Sequence, residues 1–188
     1  GGASARGFGR GFIPAAAAVL SPTIDTSSNA GTTLLYGNNG GAWSHTCTGT
    51  ATDGLLIVHL ALYASTPFSM SYGGYSMTQV AATGSGNYNS YLYKLINPPT
   101  GANNISVQFN GTGYASAGAI SFTNAKNVVG TVASSSGTSA KSASINITPT
   151  TVGSAIVVGV ITSGDEGTPS TASAGITEFY NNRTGNVN

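Results

Sequence analysis

The fold is decided by the stretch SYLYKLINPPTGANNISVQF, residues 90–109. Its second half alternates polar residues with three apolar ones, Ile105, Val107 and Phe109. This period of two predicts an antiparallel strand with one buried and one polar face. Pro98 and Pro99 cannot donate hydrogen bonds to a sheet, so they end the preceding strand, and Gly101 turns the chain. The stretch therefore predicts two strands with a short connection between them.

Similar patterns recur along the chain. Residues 142–148, SASINIT, alternate in the same way, and FSMSY places Phe68, Met70 and Tyr72 on one face and two serines on the other. Two longer runs are apolar on both faces and are predicted to be central strands: GLLIVHLALYA, residues 54–64, and SAIVVGVIT, residues 154–162. Gly73 and Gly74 separate two alternating segments, which predicts a two-residue hairpin with positive φ angles.

These segments predict an all-β fold, because no segment combines a helix cap with an apolar helical stripe. We expect about nine to eleven strands between Thr23 and the C-terminus, a number suited to an antiparallel β-sandwich of jelly-roll or immunoglobulin-like type. Residues 23–188 are predicted to form one domain. After the last predicted strand, ITEFY, only NNRTGNVN follows, so this domain is predicted to lack or share its closing strand.

The composition limits the function. Only 6% of the 188 residues are charged, against about 25% in an average soluble domain. With a net charge of +1, strong electrostatic binding of nucleic acid or acidic membranes is not expected. No run reaches the roughly 20 apolar residues of a membrane span. Cys47 is the single cysteine, so an intramolecular disulfide is excluded.

The N-terminal segment differs from the rest of the chain. RGFGRGFIPAAAAVL, residues 6–20, is a poor secretory signal, because its apolar part is short and contains a proline. Two arginines neutralise too few phosphates for a committed nucleic-acid binder. We therefore predict that residues 1–22 form a flexible docking arm for assembly. The predicted contact residues are Arg6, Phe8, Arg10 and Phe12.

Few residues in the chain could carry catalysis or bind a metal. Trp43, His45 and Cys47 share one strand face, and His59 lies on the next predicted strand. A structural zinc site needs four ligands, so a packed tryptophan, a buried thiol and a hydrogen-bonded histidine are the preferred interpretation. The serines have no nucleophile-elbow motif, and the adjacent acids of GDEG, residues 164–167, suit a solvated loop. No enzyme activity, metal or cofactor is predicted.

Glycan binding is an alternative suggested by the tyrosines. The polar loop GSGNYNSY and the neighbouring hairpin carry three of the nine tyrosines, Tyr75, Tyr88 and Tyr91, which are the candidate contacts. Tyrosines also pack commonly within sheets with their hydroxyl groups at the rim, and this interpretation is preferred.

The motifs YGGYSMTQV, residues 72–80, and NPPTG, residues 97–101, resemble those of a β-sandwich module of phage structural proteins and bacterial surface proteins. The resemblance covers residues 53–125, with weaker agreement to about residue 163. It implies a location on a virion or cell surface and supplies no catalytic residues.

We therefore expect a structural component of a phage-like virion, as a capsid-decoration, fibre or tail protein. Its expected partners are other virion proteins or copies of itself, in an oligomeric assembly on the virion surface. The alternative is a bacterial protein, secreted or on the cell surface: an adhesin, a carbohydrate-binding module that contacts a surface glycan, or a filament subunit.

Overall fold

The computed structural model describes residues 21–31, 39–49, 52–111, 114–125, 130–136, 146–149 and 153–161. This part of the chain is all-β, and its nine strands are β1 (Thr23–Asn29), β2 (Gly40–Cys47), β3 (Leu55–Tyr63), β4 (Thr66–Tyr72), β5 (Tyr75–Ser76), β6 (Thr78–Ser85), β7 (Tyr88–Ile96), β8 (Gly101–Asn110) and β9 (Ala115–Thr123). The described residues contain no helix of the length and hydropathy that a membrane crossing requires.

The strands form two sheets that pack as a β-sandwich, which confirms the predicted fold class. A five-stranded sheet has the order β1-β9-β3-β7-β6, and a four-stranded sheet has the order β2-β8-β4-β5. All described strand pairs are antiparallel. The predicted central strand at residues 54–64 is β3, which lies in the middle of the larger sheet.

The core lies between the two sheets and follows from the alternation along their strands. Leu56, Val58, Leu60 and Leu62 of β3 are completely buried, and they meet Ile105, Val107 and Phe109 of β8. The prediction that Ile105, Val107 and Phe109 form the buried face of this strand is thus confirmed. Burial of each such side chain stabilises the fold by about 1.5–3 kcal/mol, which explains how a chain with one cysteine can hold this architecture.

The outward face of β3 is also apolar, and a segment outside both sheets covers it. Ile57 forms a second buried cluster with Ile120, Phe122 and Ala125, and Val157 packs against that cluster. The prediction of a strand at residues 154–162 is therefore wrong, because residues 154–161 join neither sheet. Both neighbours of β3 in the sheet, β7 and β9, are already in place, so this apolar segment lies over the sheet instead of within it.

The prediction for Phe68 is wrong because β4 contains a bulge. Met70 and Tyr72 face the core as expected, whereas Phe68 is 60% exposed. Pro67 pairs with Phe109 and Ser69 with Gln108, so Phe68 is an extra residue on β4. One extra residue reverses the side-chain alternation on one side of the bulge and moves the Phe68 ring to the surface.

The predicted connections are confirmed. Gly73 and Gly74 join β4 to β5 with φ angles of 55° and 85°. The prolines of NPPTG separate β7 from β8, which begins at Gly101.

Of the predicted strand at 142–148, residues 146–148 belong to neither sheet, and its other residues lie outside the described part. The ITEFY segment and residues 1–20 of the arm lie outside it as well.

Candidate functional site

A cluster of hydrogen-bonded polar residues lies where an edge strand of one sheet, β1, meets an edge strand of the other, β2. A bulge between Ile24 and Ser27 leaves two residues of β1, Asp25 and Thr26, opposite the single residue Ser121 of β9. Because of this bulge, two consecutive side chains of β1 reach the same hydroxyl group. We call residues 25, 26 and 28, together with residues 43, 45, 47 and 48, the β1–β2 seam.

Asp25 is the acceptor at one end of the seam. The Thr48 amide and the Ser121 hydroxyl donate hydrogen bonds to its Oδ2 atom over 2.8 and 2.9 Å, and the Thr48 hydroxyl donates to Oδ1. Burial by itself would raise the pKa of Asp25. The hydrogen bonds from Thr48, Ser121 and Gly49 outweigh that effect and hold the pKa of Asp25 below its ordinary value of 3.8. The ionised carboxylate therefore ties β1 to both neighbouring strands.

His45 lies in the middle of the seam with a partner on each ring nitrogen. Its Nδ1 atom is 2.9 Å from Ser28 Oγ, and its Nε2 atom is 3.3 Å from Thr26 Oγ1. Ser28 Oγ accepts a hydrogen bond from Trp43 Nε1, and Thr26 Oγ1 donates to the Thr46 carbonyl. Ser28 can then donate its own proton to Nδ1, while Thr26 accepts from Nε2–H. The seam thus satisfies a neutral His45 with the proton on Nε2.

The electrostatics of the seam favour neutral side chains at its centre. Burial lowers the pKa of His45 below 6.5, although the charge of Asp25 acts against this shift. Burial raises the pKa of the Cys47 thiol. Burial also raises the pKa of Tyr72 to about 12, and its hydroxyl donates to the carbonyls of His45 and Gly101.

The directions of these pKa shifts determine which chemical roles the seam can have. A cysteine–histidine pair that attacks a substrate needs a lowered thiol pKa, and here burial shifts the pKa of Cys47 the opposite way. The hydroxyl groups of Thr26 and Ser28 meanwhile occupy both nitrogens of His45. The arrangement is suited to holding two sheet edges together, as predicted for a buried thiol and a hydrogen-bonded histidine.

His59 does not join this group. It lies on the outward face of β3, whereas Trp43, His45 and Cys47 face the interior from β2. The His59 Nε2 and Ser90 Oγ atoms share a hydrogen bond of 2.9 Å. Burial lowers the pKa of His59 to about 4. Position 59 is therefore a second, separate buried histidine, beneath the segment 153–161.

The outward face of the four-stranded sheet is a second candidate region. The register of β2, β8 and β4 aligns uncharged polar residues across this face, among them Ser44, Thr46, Asn104, Ser106, Gln108 and Ser69. An open groove of about 430 Å³ lies at one end, lined by Asn39, Gly40, Gly41, Ser106, Val107 and Gln108. We call it the glycine groove.

The three tyrosines proposed as glycan contacts lie in different surroundings. Tyr75 is 61% exposed on β5. Tyr88 is half-buried and its ring centroid is 4.9 Å from that of Tyr63. Tyr91 packs against the core cluster between the sheets. The structure does not bring the three rings onto one surface. Their role in glycan binding stays a prediction.

Arg6, Phe8, Arg10, Phe12 and the GDEG acids lie outside the described residues. The sequence did not indicate the seam, because two of its members, Asp25 and Thr26, are ordinary polar residues of a half-exposed strand. The one sequence feature that could have indicated the seam is Ser121, a polar residue in the otherwise apolar run AGAISF.

Comparison with models of protein families, with curated proteins and with solved structures finds no match to this chain.

Proposed function

We propose that this chain is a non-catalytic structural component of a phage-like virion, as a capsid-decoration, fibre or tail protein, which works through contacts with neighbouring subunits. The observation that carries the proposal is a row of exposed apolar side chains on the segment over the five-stranded sheet. Ile156, Val158 and Val160 are 54%, 58% and 62% exposed, and we call them the apolar stripe.

The stripe has the properties of an assembly contact. From residue 156 to residue 161 exposed and half-buried residues alternate, with Val157 packed against the sheet and Ile156, Val158 and Val160 facing solvent. The segment 153–161 carries no charge and belongs to neither sheet. An extended, uncharged segment with alternating apolar side chains is suited to pairing with another strand, in which backbone hydrogen bonds provide affinity.

The partner that fits best is the same segment of a second copy. Two identical segments that run antiparallel bring like apolar side chains together, and a two-fold axis relates them. With one such contact on each subunit, the docking arm predicted for residues 1–22 supplies the link to the rest of the particle. A filament subunit, the closest alternative, uses a head-to-tail contact that does not close into a ring and therefore grows without limit.

The mass of the protein in solution, measured by light scattering, tests this proposal. The full chain is expected to form a defined oligomer, and Val158→Asp is expected to shift it to the monomer. Val132→Asp is the control, since Val132 is also exposed, at 44%, but lies outside the stripe. A full chain that stays monomeric at every concentration contradicts self-association through the stripe. A variant that begins at Ser21 tests the arm separately.

A further inference from the structure

The exposed face of the four-stranded sheet differs from an ordinary solvated sheet face. Across three strands it presents hydroxyl and amide groups, in Ser44, Thr46, Asn104, Ser106, Gln108 and Ser69, with no ionisable side chain among them. Such groups both donate and accept hydrogen bonds and carry no formal charge. A partner for this face is therefore expected to be neutral and rich in hydroxyl groups.

The glycine groove gives this face a concave part. Gly40 pairs with Gln108 and Gly41 with Val107, so β2 presents no side chains at this end. A Cβ at position 40 would lie 2.3 Å from the Val107 carbonyl oxygen, so only glycine fits there. The side chains of Ser106 and Gln108 form the wall on β8.

Gln108 is held in position at the centre of the face. Ser69 Oγ donates a hydrogen bond of 3.1 Å to Gln108 Oε1. This bond fixes the orientation of the amide group and leaves the two Nε2 protons to a ligand. The row Gly40–Gln108–Ser69 spans three strands, or roughly 10 Å at the usual strand spacing. That width accommodates a short oligosaccharide.

Phe68 adds an apolar surface next to this row. It immediately precedes Ser69, the residue opposite Gln108, and the bulge of β4 leaves its side chain 60% exposed. Bulges commonly redirect one side chain at a binding site. An aromatic ring beside fixed amide donors matches a pyranose sugar, which has an apolar C–H face and a rim of hydroxyl groups.

We propose that the glycine groove and Phe68 form a binding site for a neutral glycan. The sugar ring packs on Phe68, and its hydroxyl groups bind Gln108 Nε2 and Ser106 Oγ. The site is independent of the assembly role, because the segment that carries the apolar stripe covers the five-stranded sheet, on the opposite side of the sandwich. It also differs from the tyrosine contacts predicted at residues 75, 88 and 91.

Titration of the full chain with neutral oligosaccharides tests the site, with maltohexaose, cellohexaose and chitotetraose as probes and oligogalacturonate as the acidic control. Binding is followed in ¹H–¹⁵N spectra, in which the side-chain amide signals of Gln108 report on contact directly. At least one neutral probe is expected to bind and to shift these signals. Phe68→Ala and Gln108→Ala are each expected to weaken binding about tenfold or more, which is about 1.4 kcal/mol.

The comparison variant is Tyr75→Ala, which removes a comparably exposed aromatic ring at one of the glycan contacts predicted from the sequence. A site at the glycine groove leaves the affinity of this variant unchanged. Since Phe68, Gln108 and Tyr75 are all exposed, each variant is expected to fold, and thermal unfolding checks this. The proposal is overturned if no neutral probe binds at millimolar concentration. It is also overturned if the acidic probe binds equally well, or if binding is lost in Tyr75→Ala and retained in Phe68→Ala.

Discussion

Gly159 lies so close to His59 that a Cβ at position 159 would come within 2.2 Å of the His59 Cδ2 atom. The segment 153–161 can therefore approach the sheet only because residue 159 has no side chain. Gly159→Ala is expected to push this segment away from the sheet and to lower the free energy of unfolding by about 1–3 kcal/mol. Denaturation in urea measures the change.

Val132→Ala is the control for this substitution, because Val132 is exposed and lies outside the apolar stripe. It is expected to change the free energy of unfolding by less than about 0.5 kcal/mol. Equal stabilities for Gly159→Ala and the parent protein would mean that the segment does not depend on contact with His59.

The two buried histidines predict that acid destabilises the fold. The pKa of His59 is about 4 in the folded protein, below the ordinary value of 6.5, so the unfolded chain binds a proton first as the pH falls. The contribution of neutral His59 to the free energy of unfolding is therefore fully present above pH 6.5 and is lost progressively as the pH falls to about 4. Between these pH values the free energy of unfolding is expected to fall by roughly 3 kcal/mol because of His59. His45 acts in the same direction.

Urea denaturation at a series of pH values between 7 and 4 measures this effect. His59→Gln keeps an amide donor for Ser90 and removes the titrating group, so its stability is expected to vary less with pH than that of the parent protein. An unchanged pH profile in this variant would contradict the assignment to His59.

Asp25→Ala tests the β1–β2 seam. The substitution removes the acceptor of the Thr48 amide and of the Ser121 hydroxyl, and Ser121 is only 1% exposed. Hydrogen bonds to a charged acceptor contribute about 1.5–3 kcal/mol each, but Ser121 keeps Thr26 Oγ1 at 3.0 Å as another partner, so the free energy of unfolding is expected to fall by about 1–3 kcal/mol in total. Ser27→Ala, at an exposed position on the same strand, is the matched control. If both substitutions have the same small effect, the seam contributes little to stability.

The bulge in β4 makes Phe68 and Met70 a matched pair for a core test. Met70 is 3% exposed and Phe68 is 60% exposed, although both are apolar residues two positions apart. Met70→Ala is expected to cost about 2–5 kcal/mol of unfolding free energy. Phe68→Ala is expected to change it by less than about 0.5 kcal/mol. Thermal unfolding of both variants checks the order, and a larger loss for Phe68→Ala would place its ring in the core.

The sequence predicted those parts of the fold that depend on local alternation. The buried face of β8 followed from Ile105, Val107 and Phe109, because side chains of a strand alternate between faces whatever its partners are. The hairpin at Gly73–Gly74 followed from the φ angles that glycine allows. Both features are encoded within a few residues, and both are confirmed.

The features that the sequence did not predict depend on the register between distant strands. A bulge adds one residue without a distinctive sequence, so the exposure of Phe68 and the joint contact of Asp25 and Thr26 with Ser121 could not be read from the chain. The side of β3 on which His59 lies was also hidden, because this strand is apolar on both faces. For the segment 154–161, the composition indicated burial but could not indicate whether the backbone joins a sheet.

The seam also affects how the protein resists force. β1 is fastened to β9 by backbone hydrogen bonds and to β2 by hydroxyl and carboxylate side chains. Tension on the N-terminal end of β1 must therefore break contacts with both sheets at once, and neither sheet can be peeled away alone. Such a double attachment is expected to make the sandwich yield in a single step under load.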